Sequence, residues 1–192
     1  MRPAIFLDRD GTLIEDVGYL DRVGRVSIYP FTIDALRLLA REGFALVLVT
    51  NQSGIARGKF PESLVPEVHE HLASALARGG VRLDGYYYCP HYAQSHIEQY
   101  RVDCDCRKPK PGMATRAARE LDLDLTRSYV IGDHWSDVGL ANAVGARGIL
   151  VRTGSGSSQE HLPAEGARPA AILDHLMAAT TWILLDSRGR AA

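Results

Sequence analysis

Two carboxylates near the start of the chain, Asp8 and Asp10, are separated by one residue and follow the apolar run at residues 4–7. On an extended chain, side chains at i and i+2 point the same way, so both carboxylates can enter one pocket. Gly11 lets the backbone turn and approach a ligand closely. This combination suits a hard cation and a phosphoryl group. A calcium-binding loop is excluded, because it needs Gly at its sixth position and Glu at its twelfth, whereas Tyr19 occupies the twelfth here.

The elements that must position this pair alternate between strand-like and helix-like segments. Continuous apolar strands separated by helices are typical of a parallel sheet that helices cover on both faces. We therefore predict an α/β fold, a Rossmann-like three-layer sandwich with a central parallel sheet, in a single domain over residues 1–192. A stretch rich in Gly and Ser, 154–160, is expected to be flexible. Strands are predicted at 4–8, 44–50, 83–89, 128–132 and 148–152, and helices at 32–42, 62–78, 111–121 and between the last two strands.

The bulk composition is that of an ordinary soluble globular protein, with 46% hydrophobic and 23% charged residues in a chain of 192. A net charge of -1 gives no reason to expect nucleic acid or an anionic membrane as a partner. The apolar run before Asp8 is too short for a signal peptide, and no apolar run approaches membrane-spanning length. We therefore expect a cytoplasmic protein. No obvious dimer interface is visible, so a monomer is the default expectation.

Further polar motifs follow the predicted strands, where ligands of parallel sheets bind. Thr50 and Ser53 can donate hydrogen bonds to a phosphoryl group, although alone they suit an ordinary loop. Lys108 lies in a basic turn that can offset charge on a transferring group. Asp133 can cap the following helix, or it can complete with Asp8 a site of oxygen ligands for Mg²⁺.

These motifs, in this order, resemble the haloacid dehalogenase-like (HAD) phosphatase superfamily over residues 4–153. Within it they are most similar to the D-glycero-D-manno-heptose-1,7-bisphosphate 7-phosphatases, and the histidinol-phosphate phosphatases share most of the pattern. The resemblance rests on segments 6–12, 16–19, 49–58, 88–91, 104–109 and 132–133.

The resemblance implies a mechanism for the site. Asp8 would be the nucleophile and form an aspartyl-phosphate, which splits one hard displacement into two easier ones. Asp10 would protonate the leaving sugar oxygen and then activate water. Thr50 and Lys108 would hold the phosphoryl oxygens. Mg²⁺ would be bound by Asp8, the main-chain carbonyl of Asp10, and Asp133.

Residues 13–49 and 54–106 leave no room for the large cap domain that many relatives carry, so we predict a capless enzyme with an open site. Substrate recognition would then depend on short loops, which in relatives contact the sugar and its second phosphate. His134 departs from the pattern, because heptose-bisphosphate phosphatases often have Lys there, and its charge would depend on pH near neutrality. The expected substrate-binding residues are Asp16, Tyr19, Asn51, Gln52, Ser53, Arg107 and His134.

All three cysteines fall within residues 89–106, together with two histidines. Three thiolates and one imidazole make a closed tetrahedral zinc set of the structural kind. His96 competes for the fourth position, but the tight Cys-x-His pair favours His91. Free thiols beside a chance histidine are the plain alternative. We expect zinc to fix the loop that presents Arg107 and Lys108. The expected ligands are Cys89, His91, Cys104 and Cys106.

Three functions remain open from the sequence. The first is removal of the 7-phosphate of a heptose 1,7-bisphosphate, in the synthesis of ADP-heptose for the lipopolysaccharide core. The second is hydrolysis of histidinol phosphate. The third, of another class, is a non-catalytic phosphate-binding module stabilised by zinc. The intact pair Asp8 and Asp10 argues against the third.

Overall fold

The computed structural model describes residues 1–164 and 166–191. In this part of the chain six parallel strands form one sheet, in the order β3-β2-β1-β4-β5-β6. The strands are β1 (Arg2–Leu7), β2 (Ala45–Asn51), β3 (Gly85–Cys89), β4 (Leu123–Gly132), β5 (Arg147–Val151) and β6 (Ala171–Leu173). The helices are α1 (Thr32–Arg41), α2 (Ser53–Ala56), α3 (Leu64–Arg78), α4 (Gly112–Leu121), α5 (Trp135–Ala143), α6 (Gly156–Gln159) and α7 (Leu176–Ala191).

Helices cover both faces of the sheet. Successive side chains of the central strands point to opposite faces, so each strand contributes to both halves of the core. Leu7 packs on one face with Leu72 of α3 and Ile183 of α7. Phe6 packs on the other face with Leu140 of α5. Removing each such side chain from water stabilises the fold by about 1.5–3 kcal/mol. The predicted three-layer α/β sandwich is confirmed.

The predicted elements are all present, and their boundaries are shifted by at most two residues except at the start of β4. β4 begins at Leu123, five residues before the predicted start at 128, because pairing of Arg2 with Leu123 extends the ladder between β1 and β4. Residues 154–160, expected to be flexible, instead form a turn and α6. The tail beyond them adds edge strand β6 and helix α7, whose Ile183 is 0% exposed in the core.

The segments after β1 and after β3, where a cap domain could be inserted, contain little regular structure. The segment between β1 and α1 carries only isolated bridges and one 3-10 turn, Val23–Arg25. The segment after β3 carries one 3-10 turn, Glu98–Tyr100. The described residues of these connections form no second sheet, so the capless prediction is confirmed. No helix in the described part has both the length and the apolar composition to span a bilayer.

Candidate active site

The centre of the site is a buried ion-pair group at the carboxyl edge of the sheet. Asp8 directly follows β1, and its Oδ1 accepts a hydrogen bond from Lys108 Nζ at 2.7 Å. The same ammonium lies 2.5 Å from Oδ1 of Asp137 and donates to the carbonyl of Val49 at 3.0 Å. Burial opposes the charge of Lys108, but Asp137 and Asp8 outweigh it and raise the pKa of this amine. Lys108 is therefore a fixed cation.

The backbone of Lys108 is held by the last residue of β2. Asn51 Nδ2 donates to the carbonyl oxygen of Lys108 at 3.1 Å, and Asn51 Oδ1 accepts from the Lys108 amide at 3.0 Å. This two-way contact satisfies both main-chain groups of the lysine. It places the basic turn beside Asp8, although the two segments are far apart in sequence.

Three buried carboxylates share this centre. Asp8, Asp133 and Asp137 each offer an oxygen within 4.8 Å of the others. Burial raises the pKa of Asp8 to about 6, against the opposing charge of Lys108. Burial also raises the pKa of Asp133 to about 8, and the charge of Asp8 adds to this rise. One ammonium against three carboxylates leaves a deficit of positive charge, which fits a hard divalent cation held by oxygen ligands.

Asp133 is fixed by the turn that follows β5. Its Oδ2 accepts a hydrogen bond from the Ser155 amide at 2.7 Å. Gly11 and Gly154 have positive φ values of 79° and 56°, and a Cβ at either position would overlap the Asp133 carboxylate. Thr153 Oγ1 donates to the carbonyl of Gly11 at 2.6 Å and ties the two turns together. Only glycine fits against this carboxylate, so both turns are part of the site.

Asp10 faces a separate network. Its Oδ2 accepts from Arg9 Nε at 3.1 Å and from Gln52 Nε2 at 2.9 Å. Arg9 is 2% exposed and also donates to Gln52 Oε1 at 2.8 Å. Gln52 in turn donates to Thr50 Oγ1 at 2.7 Å. The network orients the carboxylate of Asp10 and the hydroxyl of Thr50.

These groups line one cavity of about 310 Å³, here called the carboxylate cavity. It brings together most of the predicted site residues. Gln52 is instead buried behind the cavity, in the network with Asp10, and Tyr19 lines a neighbouring cavity. The lining residues are Asp8, Asp10, Asp16, Thr50, Asn51, Ser53, Arg107, Lys108, Asp133, His134, Ser136, Asp137 and Ser155.

Two charged residues of this site received no role from the sequence. Asp137 enters the carboxylate cluster from the first turn of α5, where its Oδ2 also accepts from the His134 amide at 3.2 Å. Its spacing of four residues from Asp133 was a visible signal, but the sequence pattern gives a role to Asp133 alone, as a helix cap or as a metal ligand. Arg9 carried no signal beyond its place between two carboxylates.

The cysteines converge as predicted. Cys106 Sγ lies 2.9 Å from Cys89 Sγ, 3.3 Å from Cys104 Sγ and 3.4 Å from His91 Nδ1. All four donor atoms lie within 4.8 Å of one another, and the cysteines are free of disulfides. His96 lies outside this group and lines the cavity next to Tyr19. The donor set, three sulfurs and one imidazole, suits zinc.

Comparisons with known proteins agree with this geometry. The HAD-hydrolase-like family model matches residues 105–179. A protein of Escherichia coli strain K12, D-glycero-beta-D-manno-heptose-1,7-bisphosphate 7-phosphatase, is 50% identical over 154 residues, which cover 79% of this chain and 80% of that protein. The protein of the same name from Haemophilus influenzae is 49% identical over 157 residues, covering 80% of this chain and 84% of its own length.

A solved structure is similar over nearly the whole chain. The D,D-heptose 1,7-bisphosphate phosphatase of B. bronchiseptica, crystallised with magnesium and phosphate, superposes with a TM-score of 0.83 at 32% identity. The match covers 97% of this chain and 99% of that one. The chain belongs to the HAD-like hydrolases, in the branch that contains these heptose-bisphosphate phosphatases.

Proposed function

We propose that this protein is a Mg²⁺-dependent phosphatase that removes the 7-phosphate of D-glycero-D-manno-heptose 1,7-bisphosphate, in the synthesis of ADP-heptose for the lipopolysaccharide core. The observation that carries the proposal is the buried cluster of Asp8, Lys108, Asp133 and Asp137 at the carboxyl edge of the sheet. Relatives that are about half identical bear the name of this activity.

Asp8 is the nucleophile of the proposed reaction. One of its oxygens forms a bond to phosphorus while the bond from phosphorus to the sugar oxygen breaks, which leaves an aspartyl-phosphate. Lys108, already within 2.7 Å of Asp8, can bind a phosphoryl oxygen, and so can the hydroxyl of Thr50. Positioning and charge stabilisation then supply most of the catalysis.

Asp10 is the acid and base of the proposed reaction. It gives its proton to the departing sugar oxygen and later takes a proton from the water that attacks phosphorus, so Asp8 is released as a carboxylate. Arg9 and Gln52 hold the Asp10 carboxylate in place for both steps. They leave it in the carboxylate cavity, where a sugar oxygen can reach it.

Mg²⁺ fits the charge deficit of the cluster, and we assign it to Asp8, the main-chain carbonyl of Asp10, and Asp133, with Asp137 close by. When bound, it offsets the charge of the phosphate and lets the Asp8 carboxylate approach. We assign structural Zn²⁺ to Cys89, His91, Cys104 and Cys106. Support comes from Arg107 Nη1, which donates to the carbonyl of His91 at 3.2 Å and so ties that loop to the site.

The remaining assignments belong to the same proposal. The substrate is a small phosphorylated sugar, and the protein works as a cytoplasmic monomer of one domain, residues 1–192, without nucleic-acid or membrane partners. The substrate-binding residues are Asp16, Tyr19, Asn51, Gln52, Ser53, Arg107 and His134. Most of them line the carboxylate cavity, and Gln52 acts through Asp10 and Thr50.

A panel of substrates tests the proposal. Phosphate release is measured with Mg²⁺ on both anomers of the heptose 1,7-bisphosphate, on histidinol phosphate and on an oligonucleotide with a 3'-phosphate. We expect the highest kcat/KM with one heptose anomer. A clear preference for histidinol phosphate would select the alternative function instead, and no turnover of any member would favour a non-catalytic phosphate-binding module.

A further inference from the structure

The loop with the proposed zinc ligands, residues 89–106, is here called the zinc loop. One of its tyrosines, Tyr92, contacts two arginines at the edge of the site. The guanidinium carbon of Arg57 lies 4.0 Å from the centre of the Tyr92 ring, and that of Arg107 lies 5.5 Å from the same ring. Within residues 1–164 and 166–191, neither arginine has a carboxylate oxygen within 4.0 Å. Arg107 Nη1 already donates to the carbonyl of His91 at 3.2 Å. Because no acidic partner among the described residues offsets either charge, both guanidinium groups can still attract an anion.

We propose that Tyr92 is a positioning residue that sets the preference for substrates with a second anionic group, by holding Arg57 and Arg107 together to receive it. This inference rests on the proposed function and names the residue that shapes its specificity. Two guanidinium groups repel each other in open solution. The negative face of an aromatic ring attracts each of them, and the N–H groups at their planar edges that are not already bonded can bind a phosphate.

The Tyr92 ring stands on a fixed backbone. Its amide donates to the carbonyl of Tyr100 at 3.0 Å, and its carbonyl accepts from the Ser95 amide at 2.9 Å. Ser95 is buried, and its hydroxyl donates to the carbonyl of Ala56 at 2.6 Å. This contact joins the zinc loop to the end of α2, directly before Arg57. The ring and one of its arginines thus belong to one anchored unit.

The position of this unit suits the far end of a bisphosphate. Arg57 and Tyr92 line a second cavity of about 320 Å³, here called the basic cavity, with Lys59 and His96. Lys59 lies 5.7 Å from the ring centre of Tyr19, at the other wall. The basic cavity therefore carries positive charge and no lining carboxylate.

The two cavities lie side by side. Ser53 at the start of α2 lines the carboxylate cavity, and Arg57 just after its end lines the basic cavity. At a helical rise of 1.5 Å per residue, Ser53 and Arg57 are about 6 Å apart along the helix axis. Arg107 lines the carboxylate cavity and contacts Tyr92. A single sugar with phosphates at both ends can therefore place one at Asp8 and the other at these arginines.

The experiment compares heptose 1,7-bisphosphate with heptose 7-phosphate as substrates for the wild type and for Tyr92→Leu, Tyr92→Phe and Arg57→Gln. We expect Tyr92→Leu and Arg57→Gln each to lower the ratio of the two kcat/KM values about tenfold, mainly through a higher KM for the bisphosphate. Tyr92→Phe keeps the ring and should keep the ratio within twofold. Arg101→Gln, an exposed cation of the same loop, is the matched control and should also keep the ratio.

The outcomes separate this inference from the proposed function. A wild type that shows no preference for the bisphosphate contradicts the proposed function itself. A wild type with the preference, together with Tyr92→Leu and Arg57→Gln variants that retain it, overturns the role of Tyr92 alone. Zinc content is measured for each variant. If Tyr92→Leu loses zinc, Arg57→Gln, which lies outside the zinc loop, decides the result.

Discussion

The ammonium of Lys108 lies 2.7 Å from the carboxylate of Asp8, although one hundred residues separate them in the chain. Both side chains are buried, and Asp137 completes the group on the other side of the ammonium. A buried charge without a partner is costly, so each member depends on the others. The contact ties the basic turn, and through it the loop with the cysteines, to the first strand of the sheet.

Replacement of this lysine should damage both activity and stability. In Lys108→Met, Asp8 and Asp137 lose the ammonium that they share, and loss of a partner from a buried pair costs about 3–5 kcal/mol. We expect kcat to fall about 10²–10³-fold, since one charge-stabilising donor is typically worth that much. Steady-state kinetics and urea unfolding measure the two effects.

Lys110→Met is the matched control for this lysine. Lys110 is half exposed and pairs with the exposed Asp103, and such surface pairs contribute about 0–1 kcal/mol. Its kcat and stability should stay near those of the wild type. If Lys108→Met behaved like Lys110→Met, the catalytic role of Lys108 would be refuted.

A single methyl group at Gly154 should weaken metal binding. A Cβ there would overlap the carboxylate of Asp133 and displace it, in addition to straining a backbone at φ 56°. We expect the Mg²⁺ concentration for half-maximal rate to rise about tenfold in Gly154→Ala, and calorimetry with Mg²⁺ alone to show the same shift.

Gly80→Ala is the control variant, because it strains the backbone without placing a Cβ against another group. Gly80 has a positive φ of 74° and nothing within 4 Å of its Cβ position. It should lose about 1–2 kcal/mol of stability, the usual cost of a left-handed conformation, but keep its Mg²⁺ dependence. An equal Mg²⁺ shift in both variants would show that Gly154 has no specific part in holding Asp133.

Parts of this site could be predicted from the sequence because each motif follows an apolar strand, and parallel strands end at one edge of a sheet. Asp8, Thr50 and Asp133 therefore converge as expected. Lys108 is the exception, because it follows no strand and is held at this edge by the contacts of its backbone with Asn51. The anchor of Asp133 could not be predicted. The Gly-Ser stretch at 154–160 has the composition of a linker, and only the fold shows its backbone packed on a carboxylate.

Arg9 illustrates a different limit. A charged residue is almost never fully buried unless it is paired, and its partners Asp10 and Gln52 come from two different strand ends. No local sequence pattern predicts a hydrogen-bond network of this kind. The tail that forms β6 and α7 matches no motif of the family, and only the fold shows that Ile183 of this tail lies in the core.

Removal of zinc should reduce activity through geometry. Cys104 and Cys106 directly precede Arg107 and Lys108, so loss of the ion frees the segment that presents both cations. We expect Cys104→Ser to lose zinc, to unfold at lower denaturant concentration and to lose at least tenfold in kcat with Mg²⁺ present. His96→Ala, outside the cluster, should retain zinc. Unchanged activity and folding after zinc removal would disprove the link.

His69 should make the fold sensitive to mild acid. It is 8% exposed, its Nε2 has no hydrogen-bond partner in the described part of the chain, and it packs beside Tyr86 and Tyr88. Burial, helped by the charge of Arg9, lowers the pKa of His69 to about 4. Between pH 6.5 and 4 the unfolded chain binds a proton that the folded chain does not, so the free energy of unfolding falls as pH is lowered, by about 3 kcal/mol.

The measurement compares denaturant unfolding of the wild type and His69→Phe at pH 7 and pH 4. We expect the wild type to lose about 3 kcal/mol more than His69→Phe over this interval. His71→Gln, which changes an exposed histidine two residues along α3, should follow the wild type. Identical pH dependence in the wild type and His69→Phe would show that His69 does not titrate in this way.

The central claim is that Asp8 attacks the 7-phosphate of the heptose bisphosphate. The most direct test measures phosphate release from that substrate with Mg²⁺, by the wild type and by Asp8→Asn, with the product sugar identified by mass and NMR spectroscopy. We predict one phosphate released per sugar, a product that retains its 1-phosphate, and no turnover by Asp8→Asn. Release at the wild-type rate by Asp8→Asn, or a product that retains the 7-phosphate, would contradict this account.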